Sequence, residues 1–255
     1  MNYWIIHKDD AISLEIKEIL LKKIELNLDD KEPELVIVIG GDGTFISAVH
    51  QYPHAIFFGI HTGHLGFFAN YTLKDIDQLI VDINKSTYQV EKIDILDCTL
   101  TTTEKSILAF AMNEMTIITP PKTLIVDVEI DGKRLETFRG TGLCISTAYG
   151  STAYNKSLHG AVLDPKLKAF QIAEIAGINS NQFRTLSSPL LLSSNRKITL
   201  KTKQPEEVFV TIDHLSYQFC QFESAQICLL QEKVSIAHSK ENNFIERIRR
   251  TFLTD

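Results

Sequence analysis

One carboxylate stands among three glycines in Gly40-Gly41-Asp42-Gly43-Thr44. The motif follows the apolar run Leu35-Val36-Ile37-Val38-Ile39, mostly β-branched, which reads as a strand buried on both faces, as in a parallel sheet. Phe45-Ile46-Ser47-Ala48-Val49 then resumes with helical character. Glycines let a backbone approach a ligand without a Cβ in the way. A helix N-terminus beyond the turn offers N–H groups to phosphate oxygens. A phosphate would repel Asp42 unless that residue binds a metal ion or takes a proton, and this is the arrangement that phosphoryl transfer needs. The alternative is a tight strand-to-helix turn with Asp42 as its N-cap. The motif is neither a Walker A loop nor the dinucleotide fingerprint.

Two further segments carry chemistry. Ile107 to Met112 reads as an apolar strand that ends on Asn113-Glu114. Asn offers a donor and an acceptor, which suits a purine edge, and Glu offers acceptors for ribose hydroxyls. An exposed strand end explains the pair equally well. Tyr149-Gly150-Ser151-Thr152-Ala153-Tyr154-Asn155-Lys156-Ser157 is a loop of small and hydroxyl residues able to hold a base flat, or a Ser/Thr turn leading into a short helix. His61 and His64 are three apart on a glycine-rich loop with no third ligand nearby, so they shape the loop and no metal-ligating residue is assigned. His214, after Asp213, reads as a surface turn as readily as a ligand contact. Arg247, Arg249 and Arg250 form a basic helix end, with a helix-dipole role preferred over a phosphate clamp or a subunit contact.

The elements that must position these residues differ along the chain. Residues 1–88 alternate strand and helix signals: Tyr3–Ile6, a helix through Ile12, Ile16 and Leu20, the strand before Gly40, the helix after Thr44, a strand at 55–60 and a helix at 75–84. This order implies an α/β domain with a parallel, Rossmann-like sheet, whose ligands sit at the carboxyl ends of the strands. Residues 89–239 are β-rich and read as a sandwich-like domain, with Asp131-Gly132 turning a hairpin and further strands at 198–203, 208–212 and 227–230. Phe244, Ile245, Ile248 and Phe252 share one helical face, so 240–255 is expected to pack back on the first domain. The chain has 255 residues, 44% of them hydrophobic and 23% charged, as in ordinary globular proteins. A net charge of −6 argues against a nucleic-acid partner. Cys98, Cys144, Cys220 and Cys228 show no Cys-x-x-Cys spacing and fit a reducing cytosol. No basic leader and no membrane-length apolar run is visible, so a cytoplasmic location is expected.

Taken in order and at their spacing, Gly40–Thr44, Asn113-Glu114 and Gly150-Ser151-Thr152-Ala153-Tyr154 resemble the three signatures of bacterial NAD kinases. His61-Thr62-Gly63-His64-Leu65-Gly66-Phe67 and Asp213-His214 look like the Gram-positive forms. The first signature alone is shared with lipid kinases. The resemblance implies transfer of the ATP γ-phosphoryl group to the 2′-hydroxyl of the adenosine ribose of NAD, giving NADP, with a divalent metal ion such as Mg²⁺. It implies that Asp42 is catalytic and that Gly41 and Gly43 keep room for phosphates. Phe67 lines the NAD pocket, Asn113 reads the adenine and Glu114 takes the ribose hydroxyls. Thr152 and Ala153 contact the adenine, Tyr154 packs along the dinucleotide and Ser157 reaches the nicotinamide half. Ala176 and His214 match pocket positions. The β-rich domain would then bind NAD, and the protein would be a homodimer or homotetramer with the NAD site near a subunit interface. Three departures stand out. Thr141 replaces an Asp between glycines, which touches preference between NAD and NADH. Tyr149 is bulky enough to narrow or cover the adenine pocket. His159 stands where a glycine is common. A lipid or other small-molecule kinase, and a non-catalytic dinucleotide-binding protein, are the alternatives.

Overall fold

The computed structural model describes residues 1–63, 66–238 and 244–253. In chain order the elements begin with β1 (Asn2–His7), α1 (Ala11–Lys23), β2 (Asn27–Leu28), β3 (Leu35–Ile39), α2 (Asp42–Gln51), β4 (Ile56–Ile60) and α3 (Ile76–Lys85). A run of strands follows: β5 (Gln89–Thr102), β6 (Ser106–Ala111), β7 (Glu114–Ile118), β8 (Leu124–Ile130) and β9 (Lys133–Thr147). After α4 (Tyr154–Ser157) come β10 (Ala169–Gly177), β11 (Leu190–Ser193), β12 (Lys197–Ile212), β13 (Leu215–His238) and finally α5 (Phe244–Phe252). The chain divides into two compact units, Met1–Ile93 with Glu232–Asp255, and Asp94–Gln231.

In the first unit β1 pairs in parallel with β2 and β3, β3 with β4, and β4 with Ser235 and Ile236 of β13. All five residues of β3 are buried, so the strand needs apolar cover on both faces. Ile16 and Leu20 of α1, and Leu79 and Ile83 of α3, supply cover together with Tyr3, Phe58 and Tyr71. Helix α1 starts where the Asp10 side chain accepts the Ser13 N–H at 2.8 Å. The turn before α3 is fixed by a capping box between Thr72 and Asp75. Asp82 of α3 is buried and satisfied: it accepts from Tyr71, Gln78 and Thr87. The helix expected near the C-terminus is α5, and it contacts residues 66–70 within this unit.

The second unit is β-rich and antiparallel. Strands run β11-β10-β9-β7-β12-β13, with β8 bonded to both β9 and β12, and β5 bonded to β6 and β13. They wrap a core that includes Leu96, Met115, Phe138, Ile145, Phe170, Val210 and Phe222. The Asp131-Gly132 hairpin has φ 52° and 74° at its two turn residues, the twist-matched form. The strands expected at 198–203 and 208–212 are one strand, β12, carrying register shifts between Lys201 and Val208. A bulge of this kind interrupts the local pattern without ending the strand.

Candidate active site

The glycine motif does not fold as the sequence suggests in every detail. Only Gly40 and Gly41 make the turn, Gly41 is the N-cap of α2, and Asp42 is its first residue. Asp42 is therefore not the cap. Its carboxylate instead accepts the backbone N–H of Phe67 at 2.8 Å and of Phe68 at 3.2 Å. A Cβ on Gly66 would lie 2.1 Å from Asp42 Oδ1, so only glycine lets the 66–68 segment come this close. Gly40 is required for a different reason, since its Cβ would lie 2.7 Å from Thr44 Oγ1. Above Gly41 and Gly43 a Cβ would meet nothing within 4 Å. The chain itself does not demand glycine at these two positions. The N-cap residue, Gly41, makes no side-chain cap hydrogen bond. Open space, the amides of a helix N-terminus and an oriented carboxylate together suit a phosphate-bearing ligand.

Phe67 is half-buried and stacks on Phe252 of α5, with ring centroids 5.9 Å apart. His61 Nδ1 lies 3.3 Å from the Gly63 carbonyl, while its buried Nε2 has no protein partner. His64 lies outside the described residues, and among those described no cluster of three His, Cys, Asp or Glu could hold a metal ion.

In the second unit Asn113 sits in the bend between β6 and β7, and Glu114 opens β7. Asp213 holds this bend. Its carboxylate accepts the N–H groups of Met112 (2.8 Å), Asn113 (2.8 Å) and Glu114 (3.3 Å), and its own N–H donates to the Glu114 carbonyl at 3.0 Å. Asp213 reaches that position through a left-handed turn, φ 52°, between β12 and β13. The sequence placed Asp213 in a turn and in a pair resembling the Gram-positive form, but gave it no role in holding this bend, because its partners lie about a hundred positions away. The loop at 149–154 closes on the other side. Thr147 donates from its hydroxyl to the Met112 carbonyl at 2.6 Å and accepts the Gly150 N–H at 2.9 Å. A Cβ on Gly150 would lie 2.0 Å from the Asn113 carbonyl oxygen.

Glu114 lies in a cavity of about 320 Å³ lined also by Thr116, Ile118, Tyr154, Ile175, Thr211 and Asp213. Burial, reinforced by the neighbouring Asp213 charge, pushes its carboxyl up to about 7, against a lowering contribution from the Tyr154 N–H. Glu114 Oε2 is buried without a protein partner, and so is Ser146 Oγ on the residue paired with Glu114 across β7 and β9. Each such orphan costs about 1–3 kcal/mol if nothing satisfies it. A polar ligand or bound water is the physical remedy.

Of the other expected site residues, Tyr149 is buried at 7% exposure, and Thr152 donates from its hydroxyl to the Tyr149 carbonyl at 3.0 Å. Ala153 leads into α4, whose last residue, Ser157, is exposed. Thr141 and Ala176 stand opposite each other between the β9–β10 pairs Gly142–Ile175 and Gly140–Gly177, and both are exposed. His214 is exposed beside Asp213. Arg249 and Arg250 stand in the last turn of α5, where cations were expected, but Arg247 departs from that reading. Arg247 is buried, while Arg249 and Arg250 pair with Glu246 at 3.0 and 2.7 Å.

A glycine turn with an oriented acid in one unit, and a partly buried carboxylate next in sequence to an asparagine in the other, suit the class of phosphotransferases that act on nucleotides. Two family models match this chain: the ATP-NAD kinase N-terminal domain over residues 13–88 and the ATP-NAD kinase C-terminal domain over residues 112–229. The chain belongs to the ATP-NAD kinase family. It is 41% identical to NAD kinase 1 of Oceanobacillus iheyensis, with 100% of this chain and 99% of that protein covered. It is 42% identical to the NAD kinase of Geobacillus stearothermophilus, over 96% of this chain and 93% of that protein. The same fold is seen in yeast NADH kinase complexed with NADH, at TM-score 0.85 and 21% identity, covering 100% of this chain and 89% of that one. It recurs in an NAD kinase from Archaeoglobus fulgidus in complex with ATP, at TM-score 0.76 and 23% identity, covering 98% and 99%.

Proposed function

We infer that this protein is an NAD kinase, which moves the γ-phosphoryl group of ATP to the 2′-hydroxyl of the adenosine ribose of NAD. The observation that carries this reading is the Asp42 carboxylate, aimed by two backbone amides beside glycines with open space above them. Asp42 takes the proton of the 2′-hydroxyl as its oxygen bonds to the γ-phosphorus. The bond from that phosphorus to the β–γ bridging oxygen breaks, and ADP leaves. Asn113 reads the adenine edge, and Glu114 accepts from the ribose hydroxyls with the oxygen that lacks a protein partner. Thr152, Ala153 and Tyr154 flank the base, while Phe67, Ser157, Thr141, Ala176, Tyr149 and His214 complete the contacts to the dinucleotide. The parallel pairs of the first unit are read as a Rossmann-like sheet, and the working assembly as a homo-oligomer in the cytoplasm.

Mg²⁺ at phosphoryl-transfer sites takes ligands from one or two carboxylates, from phosphates and from water. Asp42 fits that role, since each oxygen keeps a lone pair after its amide bond. Bound there, the ion would neutralise charge on the ATP phosphates.

The direct test is incubation with ATP, Mg²⁺ and NAD, with NADP as the expected product. Binding of NAD with no NADP formed would indicate a non-catalytic dinucleotide binder, and phosphorylation of a lipid alcohol in place of NAD would indicate a lipid kinase.

Two predictions arise here. The Tyr154 N–H occupies one side of the Glu114 carboxyl, so a protonated Glu114 would carry its proton on the oxygen offered to the ribose and lose it as an acceptor; NAD affinity should therefore rise as pH passes upward through about 7. Glu114→Gln should bind NAD more weakly and with a flat profile. The sign for stability is opposite. A carboxyl raised in the fold contributes most below its ordinary value of 4.5, and the contribution is lost as pH rises toward 7 and beyond. Thermal melts of the unliganded wild type, but not of Glu114→Gln, should show that decline. Calorimetric titration of NAD between pH 5.5 and 8.5 checks the first half, and a pH-independent wild-type affinity would refute it.

Gly43 lies in the first turn of α2, with nothing near a would-be Cβ. Gly43→Ala should therefore raise stability by up to about 1 kcal/mol, the helical preference for alanine. The same methyl group would occupy space needed by phosphates, so activity should fall. A variant that is both more stable and fully active would show that no ligand approaches Gly43.

A further inference from the structure

Arg247 faces the segment that orients Asp42. From α5 its guanidinium donates to the carbonyls of Gly66 (3.4 Å), Phe67 and Ala69 (3.2 Å), and to Asn70 Oδ1. Asn70 is itself tied back, since its amide donates to the Ala237 carbonyl at 3.4 Å. The Gly66 carbonyl and the Phe67 N–H belong to one planar peptide group, and the Phe67 carbonyl and the Phe68 N–H belong to the next. Those two N–H groups hold the Asp42 carboxylate. Arg247 and Asp42 thus grip opposite ends of the same two peptide units. A charged donor on a carbonyl also polarises the peptide and strengthens the hydrogen bond its N–H makes.

We propose that Arg247 is a positioning residue for phosphoryl transfer: it fixes the 66–68 peptide groups whose amides aim the Asp42 carboxylate. The proposal rests on the assignment of Asp42 as the group that takes the hydroxyl proton. A guanidinium is suited to the task because its planar fork serves several acceptors at once, whereas a lysine ammonium is a single point charge. Arg250, one turn along the same helix, pairs with Glu246 and serves as a control of equal charge.

The experiment compares full-length Arg247→Ala, Arg247→Lys, Arg250→Ala and Asp42→Asn by melting temperature, NAD titration and steady-state kinetics with ATP and Mg²⁺. Misplacing a catalytic group by about 1 Å costs on the order of 10²-fold. Arg247→Ala should lose kcat on that scale with KM for NAD little changed, millimolar guanidinium should restore part of it, and Arg247→Lys should stay impaired. Arg250→Ala should behave as wild type. Native kcat in a folded Arg247→Ala overturns the proposal. If that variant fails to fold, Arg247→Lys decides: native kcat overturns the fork, and low kcat with normal NAD affinity supports it. If Asp42→Asn is inactive while the Arg247 variants turn over normally, this proposal alone falls. If Asp42→Asn keeps its turnover, the assignment of Asp42 falls, and the role of Arg247 falls with it.

Discussion

Asp42→Asn is expected to lower turnover by about 10²–10⁴-fold, the usual cost of removing a general base. Asparagine keeps the size and the planar head of the side chain but cannot take the hydroxyl proton or supply a full negative charge to a metal ion. The local geometry sharpens the expectation. Both aspartate oxygens accept backbone N–H groups, from Phe67 and Phe68. An asparagine would present one NH₂ group to one of those donors, so the head group would tilt as well as lose its charge. NAD affinity should change little, because Asn113, Glu114 and the loop that flanks them lie in the other unit. Single-turnover measurement of NADP formation, with NAD binding measured separately by calorimetry, distinguishes the two outcomes. Near-native turnover would show that another group takes the proton.

Asp213→Asn should produce the largest loss of dinucleotide affinity among the positions that touch no ligand in this reading. Its carboxylate serves three backbone donors at Met112, Asn113 and Glu114. With asparagine, at least one N–H would face an NH₂ group, and a buried donor left unmet costs about 1–3 kcal/mol. The bend carrying Asn113 and Glu114 would loosen, and NAD affinity should fall about tenfold or more, since about 1.4 kcal/mol corresponds to each factor of ten. A second readout separates this from general damage. Asp213 is the charge that helps burial raise the Glu114 carboxyl. Without that charge, the pH at which NAD binding improves should move down from about 7 toward the ordinary 4.5. A weaker complex with an unmoved pH midpoint would mean that Asp213 acts only as a structural pin.

Much of the candidate site was legible in sequence because its residues are adjacent in the chain. A carboxylate between glycines after a buried strand, an Asn-Glu pair at a strand end and a hydroxyl-rich loop each fit within a short window. The strand at 35–39, the helix at 11–23 and the Asp131-Gly132 hairpin were legible for the same reason, as periodicity and turn chemistry are local properties. Strands β10 and β11 were not singled out, and β12 was read as two pieces. Their pairing partners lie elsewhere in the chain, and a bulge looks like a strand end until the neighbouring strand is seen.

What the sequence by itself determined, then, is which chemical groups the proposed site draws on: the Asp42 acid, the Asn113-Glu114 pair and the glycines around Asp42. Only the tertiary structure decided how those groups are aimed. Asp42 is held by amides 25 and 26 residues away, Asn113 and Glu114 by a carboxylate about a hundred away, and the 66–70 segment by an arginine 177 to 181 residues away. The reason is physical. Local sequence sets backbone propensities over a few residues, but a buried charge or peptide group must find its partner wherever the folded chain supplies one. Arg247, which the sequence presents as one of three cations at a helix end, became a buried clamp because four acceptors in the 66–70 segment had to be met there.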